Sequence, residues 1–176
     1  MPRPDPYGGR IQDLPTIGRT LIEGRDGLFL YDGKTFTPVA GAERKVIGDY
    51  PMAYDLPSIG RVVVITRNGL FNLTTDTGLV AVKTPFSPER PFMQTIADWP
   101  DSSVALVATR SGVFSLDADL TVNPIPGSGT LQASSVIPSP FTGINPSTGE
   151  MVLTGRHALF LAVDTKRSHD DSCREP

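Results

Sequence analysis

The hydrophobic residues of this chain form short runs that return at a nearly constant spacing. The most apolar runs lie at equivalent positions of this repeating pattern, and an arginine follows each of them closely. These runs are Leu21-Ile22, Val62-Val63-Val64-Ile65, Val104-Ala105-Leu106-Val107 and Met151-Val152-Leu153. Short runs with no polar interruption are typical of strands that are buried on both faces. We therefore expect each run to be a central strand of a small sheet.

The residues around these runs repeat with them. A phenylalanine recurs at intervals of 42, 43 and 46 residues, and the arginine four residues before it always follows a proline by ten residues. The four frames are Pro15-Arg25-Phe29, Pro57-Arg67-Phe71, Pro100-Arg110-Phe114 and Pro146-Arg156-Phe160. A repeat of about 40–45 residues with several short strands is the period of a propeller blade.

Turn residues divide each repeat into four strands. We predict that tight turns with positive φ are centred on Asp26-Gly27, Asn68-Gly69 and Ser111-Gly112, and that His157-Ala158 forms a distorted fourth turn. The strand after each turn begins near the phenylalanine. The outer strands are expected near 36–39, 79–82 and 121–125, and an inner strand precedes each proline.

The predicted fold is all-β: a β-propeller-like array of four four-stranded antiparallel blades. A sandwich gives no reason for the sequence to repeat, and a solenoid usually has a shorter period. The predicted boundaries are a proline-rich arm over 1–9, repeats over about 10–41, 42–85, 86–127 and 128–164, and a disordered tail over 165–176. The arm cannot donate a full ladder of hydrogen bonds and the fourth repeat lacks a clear outer strand. We therefore expect a partial ring, or a homo-oligomer in which a second copy completes the propeller.

Charge and composition restrict the classes of partner. The net charge is −3 and no basic stripe is present, so we expect no nucleic acid partner. We see no signal peptide and no apolar run long enough to span a bilayer, so we expect a cytoplasmic chain with no membrane partner. The single cysteine, Cys173, excludes an intramolecular disulfide.

The segments Thr66-Arg67-Asn68-Gly69-Leu70-Phe71 and Thr109-Arg110-Ser111-Gly112-Val113-Phe114 resemble the repeat of the two-component-regulator propeller family. The resemblance covers residues 10 to 164 and implies a propeller fold with a role in sensing. Repeats of that family carry a Gly-Thr-x-x-Gly-Leu motif, and the tryptophan that commonly precedes the motif is absent here.

Residues with catalytic or metal-binding chemistry are sparse. His157 and His169 stand in different contexts, and Cys173 lies in a polar segment without the fixed electropositive setting that activates a thiol. We expect no catalytic residue, no metal site and no cofactor. The carboxylates Asp13, Asp55 and Asp98 each precede the repeated proline by two residues, and we expect each to accept hydrogen bonds from the backbone of its own turn.

The repeated arginines are the candidate ligand-binding residues. Arg25, Arg67, Arg110 and Arg156 occupy one equivalent position at the hairpin end of the repeats, where a ring of guanidinium groups is suited to a small anionic ligand or an acidic segment of a partner protein. The competing interpretation, which we favour for these arginines, is structural: each stem packs on a neighbouring aromatic side chain and each guanidinium pairs with a local carboxylate.

The function expected from the sequence is a non-catalytic binding or scaffold module. The alternative is a propeller enzyme, a lyase or hydrolase acting on a sugar or lactone, which would place acidic, histidine or arginine side chains on the inner strands. Those strands carry Met52, Tyr54, Met93, Gln94 and Thr95, a set with little acid–base capacity, which favours binding.

Overall fold

The structure, a computed structural model, describes residues 9–48, 50–87, 95–99, 102–109, 111–125, 142–144, 151–154 and 159–162. Helical structure in these residues is limited to one turn of α-helix, α1 (Arg44–Ile47), and two 3-10 turns, Pro15–Ile17 and Pro57–Ile59. The prediction of an all-β chain is confirmed. Residues 1–8 of the predicted arm, the tail over 165–176, Arg110, Arg156 and the turn His157-Ala158 lie outside the described residues.

Each repeat folds into its own antiparallel sheet, with the strands side by side in chain order. Sheet I consists of β1 (Ile11–Leu14), β2 (Arg19–Glu23), β3 (Gly27–Tyr31) and β4 (Phe36–Glu43). Sheet II consists of β5 (Met52–Leu56), β6 (Arg61–Thr66), β7 (Gly69–Thr74) and β8 (Gly78–Ala81). Sheet III consists of β9 (Thr95–Asp98), β10 (Val104–Thr109), β11 (Gly112–Asp117) and β12 (Val122–Pro124). The described strands of sheet IV are β13 (Thr142–Ile144), β14 (Met151–Thr154) and β15 (Leu159–Ala162).

Strand β6 is buried on both faces, as its uninterrupted apolar run predicts. Val62, Val63, Val64 and Ile65 are all 0% exposed. Val62 and Val64 belong to the core that sheet II shares with sheet I, whereas Val63 and Ile65 belong to the core shared with sheet III. Because successive side chains of a strand point to opposite faces, one run of four residues supplies both cores. Sheet II is therefore the middle layer between sheets I and III.

Strand β4 is longer than the sequence predicts. It continues from Phe36 to Glu43, past the expected end at Val39, and a register shift opposite Gly27 and Phe29 bends it. The chain then enters α1, where the backbone N–H of Arg44 donates to the carbonyl of Asp26 at 2.8 Å. Ile47 of this turn is 1% exposed and packs into the core between sheets I and II.

Two of the repeated aspartates, Asp55 and Asp98, join neighbouring repeats, which corrects for these two the prediction that each one accepts hydrogen bonds from the backbone of its own turn. Asp55 of sheet II accepts a hydrogen bond from the backbone N–H of Thr16, 39 residues earlier, at 3.2 Å. Asp98 of sheet III accepts from the backbone N–H of Ser58 at 3.2 Å and from its hydroxyl at 2.5 Å. Each 3-10 turn therefore packs against the next sheet, and the aspartate of that sheet accepts a hydrogen bond from the backbone N–H of the turn's second residue.

Glycine closes both of these 3-10 turns. Gly18 and Gly60 adopt φ values of +60° and +63°, and their N–H groups donate to the carbonyls of Pro15 and Pro57 at 3.1 Å. The repeated Pro-x-Ile-Gly sequence is thus a complete turn motif, because proline starts the turn and glycine ends it in the left-handed conformation. Among the described residues, no helix has the length and apolar character needed to cross a membrane.

Candidate functional site

The candidate arginine of the second repeat lies at the tip of the hairpin between β6 and β7. Thr66 pairs directly with Gly69, so the two turn residues are Arg67 and Asn68. The prediction of a turn centred on Asn68-Gly69 is therefore wrong by one residue. Glycine is still required at position 69, because the φ there is +134°, but this residue follows the turn and is not part of it. The consequence for the site is that Arg67 itself stands at the tip.

A buried threonine fixes this turn. Thr66 is 0% exposed, its hydroxyl accepts from the N–H of Asn68 at 3.0 Å, and it donates to the carbonyl of Gly69 at 3.4 Å. Thr109 of sheet III repeats the arrangement, with distances of 3.0 Å to the N–H of Ser111 and 3.1 Å to the carbonyl of Gly112. In the second hairpin the hydroxyl takes over turn hydrogen bonds that would otherwise be left to the backbone, and this holds Arg67 at a defined place.

The first hairpin reaches a similar shape by different means. Gly24 stands where the second and third hairpins have Thr66 and Thr109, and its N–H donates to the carbonyl of Gly27 at 2.8 Å. Gly27 in turn pairs with Glu43 at the end of β4. The tip that carries Arg25 is therefore supported from the outer strand of its own sheet.

Both described candidate arginines are exposed to solvent. Within the described part of the chain, neither Arg25 nor Arg67 has a hydrogen bond or an ion pair. The stem of Arg67 lies against Gly48, where a Cβ atom would come within 2.3 Å of the arginine Cδ. Hence the stem of Arg67 does pack, on a glycine backbone, while the expected pairing with a local carboxylate is absent for both arginines among the residues that the structure describes.

The segment α1 brings further cations to the same end of the sheets. Arg44 forms an ion pair with Glu23 at 2.6 Å, and Lys45 next to it is exposed. The side-chain amide of Asn68 donates to the backbone carbonyl of Val46, which ties the second hairpin to α1. We call the end of sheets I and II that carries the β2–β3 and β6–β7 hairpins the hairpin end. There Arg25, Arg67 and Lys45 lie around Arg44, which is paired with Glu23.

A cavity of about 200 Å³ lies between sheets I and II, beneath this end. Its polar lining comes from Arg10, Gln12 and Glu23, and its apolar lining includes Leu28 and Met52. Its volume is below the roughly 300 Å³ at which ligand pockets usually begin. Sequence reasoning missed these polar residues; the one available signal was a glutamine at the inner-strand position where the second repeat has Tyr54.

Exposed carboxylates lie at both ends of sheet I: Asp26 follows Arg25 in the hairpin and Glu43 ends β4 beside it, whereas Asp32 lies at the opposite end. Asp32, in the turn between β3 and β4, has a pKa lowered to about 2, first by the backbone N–H of Thr35 and then by that of Lys34 and the hydroxyl of Thr35. It forms the turn itself, at the opposite end of sheet I from the arginines. No group of three or more His, Cys, Asp or Glu side chains suited to a metal ion occurs among the described residues.

Comparisons with protein-family models, with curated proteins and with solved structures give no match for this chain.

Proposed function

We propose that the protein is a non-catalytic binding or scaffold module of the β-propeller type, with the hairpin end as its binding surface. The arrangement of the sheets supports this proposal. The first strands lie together, since β5 contacts both β1 and β9, and the last strands β4 and β8 contact each other. First strands on one side and last strands on the other are what radially stacked blades require. The resemblance of the repeat to sensor propellers supports the same class of function.

The exposed guanidinium groups carry the proposal. Arg25 and Arg67 occupy the same position in successive repeats and have no partner in the described residues, although the chain as a whole is acidic, with net charge −3. A solvated guanidinium without an internal carboxylate retains its full set of donors for an anion, which it can grip with two parallel hydrogen bonds. The ligand class is therefore a carboxylate-rich segment of a partner protein or a small anion.

The double variant Arg25→Ala/Arg67→Ala is expected to weaken binding of a fluorescein-labelled polyglutamate peptide about tenfold or more, because each charged hydrogen bond contributes about 1.5–3 kcal/mol when desolvated. Fluorescence anisotropy at low salt measures the dissociation constant. Adding salt should weaken the wild-type complex, because exposed charges are screened.

Lys34→Ala is the matched control, since it also removes an exposed cation but at the opposite end of sheet I. It should leave the dissociation constant within about twofold, a difference that surface electrostatics easily produces. Unfolding by urea should show that Arg25→Ala retains wild-type stability. Equal effects of Lys34→Ala and the double variant, or no saturable binding by wild type, would refute the assignment of the arginines.

A further inference from the structure

Asn68 differs from the other asparagines of the chain in the residue that follows it. The asparagines of the sequence are Asn68, Asn72, Asn123 and Asn145, and only Asn68 precedes a glycine; the others precede leucine or proline. Asparagine is one of the thermolabile residues of proteins, because the backbone nitrogen of the next residue can attack its side-chain amide. A following glycine has no Cβ to obstruct that attack, whereas a following proline has no N–H with which to form the new bond.

The position of Asn68 in the fold leaves its side chain accessible. It is the second of the two residues at the tip of the β6–β7 hairpin, and it is exposed. Asn72 lies within β7 and is 6% exposed, so the strand encloses the same chemical group there. Asn123 is exposed, but Pro124 follows it. Among the described asparagines, exposure and a following glycine therefore occur together only at Asn68.

One hydrogen bond restrains the side chain of Asn68. Its amide nitrogen donates to the backbone carbonyl of Val46 in α1. A single exposed hydrogen bond is a weak restraint, because water replaces the lost partner at little cost in free energy. The amide group is therefore released from Val46 for part of the time and is then free to react.

We propose that Asn68 is a site of spontaneous deamidation, and that its conversion loosens the contact between the β6–β7 hairpin and α1. The backbone nitrogen of Gly69 loses its proton to solvent base and bonds to Cγ of Asn68, while the side-chain nitrogen takes up a proton and leaves as ammonia. Water then opens the resulting cyclic imide at either of its carbonyl carbons, which yields aspartate or isoaspartate. The net reaction consumes one water and releases one ammonia, and it needs no oxidant or reductant.

The product cannot keep the hydrogen bond to Val46. An ionised carboxylate only accepts hydrogen bonds, and the carbonyl of Val46 is an acceptor as well. Ile47 is 1% exposed and still holds α1 on the core between sheets I and II. The expected change is therefore a local loosening around Val46 and Gly48. The inference does not depend on the proposed binding of anions.

Peptide mapping by mass spectrometry tests the site, on the full chain kept folded in warm, mildly alkaline buffer. Asn68 should convert to both aspartate and isoaspartate. The rate should lie within about tenfold of the rate in the chain unfolded by urea, because one exposed hydrogen bond restrains the amide. Asn72 and Asn123 of the same folded samples are the internal controls and should remain asparagine. A slower rate at Asn68, or conversion of either control as fast as Asn68, would overturn the proposal.

Hydrogen exchange tests the consequence for α1. Asn68→Asp reproduces the aspartate product. It should raise the exchange rate of the Gly48 N–H, which closes α1 by donating to the carbonyl of Arg44 at 2.9 Å, at least about threefold. Asn123→Asp is the matched control, since it makes the same change at an exposed position of sheet III and should leave that rate as in wild type. Unchanged exchange in Asn68→Asp, or equal acceleration by both variants, would show that the amide does not hold the hairpin to α1.

Discussion

Gly78→Ala is expected to lower the free energy of unfolding by about 2–5 kcal/mol. Gly78 begins β8 and is buried against the last strand of sheet I, where a Cβ atom would lie 2.3 Å from the carbonyl oxygen of Ala40 and 2.8 Å from its nitrogen. Its φ of +77° adds about 1–2 kcal/mol of strain for any residue with a Cβ. The obstructing atoms are backbone, so the variant must push β4 and β8 apart.

Gly41→Ala is the matched control for this prediction. Gly41 has nearly the same φ, +74°, and faces the same strand pair, but a Cβ there would come no closer than 3.7 Å to the carbonyl oxygen of Leu79. It should therefore cost only the strain, about 1–2 kcal/mol. Urea unfolding followed by far-UV circular dichroism gives both values. If the two variants lose equal stability, the close approach of β4 and β8 is not what requires glycine at position 78.

The strands were predictable because their signal is local. The run Val62 to Ile65 identifies β6, and the regular spacing of Phe29, Phe71 and Phe114 places the third strand of each described four-stranded sheet. Burial on two faces requires an apolar side chain at every position of the run. The strand can therefore be recognised without knowing which strands pack beside it. Strand ends were less predictable, as in β4, whose last residues are held by the hairpin of their own sheet.

The candidate site was only partly predictable, because its contacts are between residues far apart in sequence. The arginines were found from their repetition, but Gly48, which receives the stem of Arg67, lies in the link between sheets I and II, where no repeat pattern marks it. The pairing of Arg44 with Glu23 spans 21 residues and requires the bend of β4. Repetition thus indicates which positions are equivalent, whereas their partners depend on how neighbouring sheets pack.

The aspartates illustrate the same limit. An aspartate two residues before a proline predicts a hydrogen bond within its own turn, since that acceptor and donor are adjacent in sequence. In a stack of repeats the nearest free donor belongs instead to the preceding repeat, about 40 residues away, as for Asp98 and Ser58. Their common spacing in the sequence therefore reflects a contact between sheets.

Asp98→Ala is expected to lower the free energy of unfolding by about 2–3 kcal/mol, because it leaves the N–H and hydroxyl of Ser58 without their charged acceptor in a partly buried contact. Asp55→Ala should cost less, since within the described part of the chain Asp55 accepts only the N–H of Thr16. The hydroxyl of Thr16 is buried and makes no hydrogen bond within the described residues.

Double-mutant cycles measure how much the hydroxyl groups of Ser58 and Thr16 contribute to these two contacts between repeats, apart from the backbone N–H bonds. Ser58→Ala combined with Asp98→Ala should give a coupling energy of about 1–2 kcal/mol, because the hydroxyl and the carboxylate are 2.5 Å apart. Thr16→Ala combined with Asp55→Ala should be additive within about 0.5 kcal/mol. Urea unfolding of the six variants and wild type supplies every value. Equal coupling energies in the two cycles would mean that the hydrogen bond between the Ser58 hydroxyl and Asp98 does not contribute to joining sheets II and III. The backbone N–H bonds common to both contacts would then be sufficient to join neighbouring sheets.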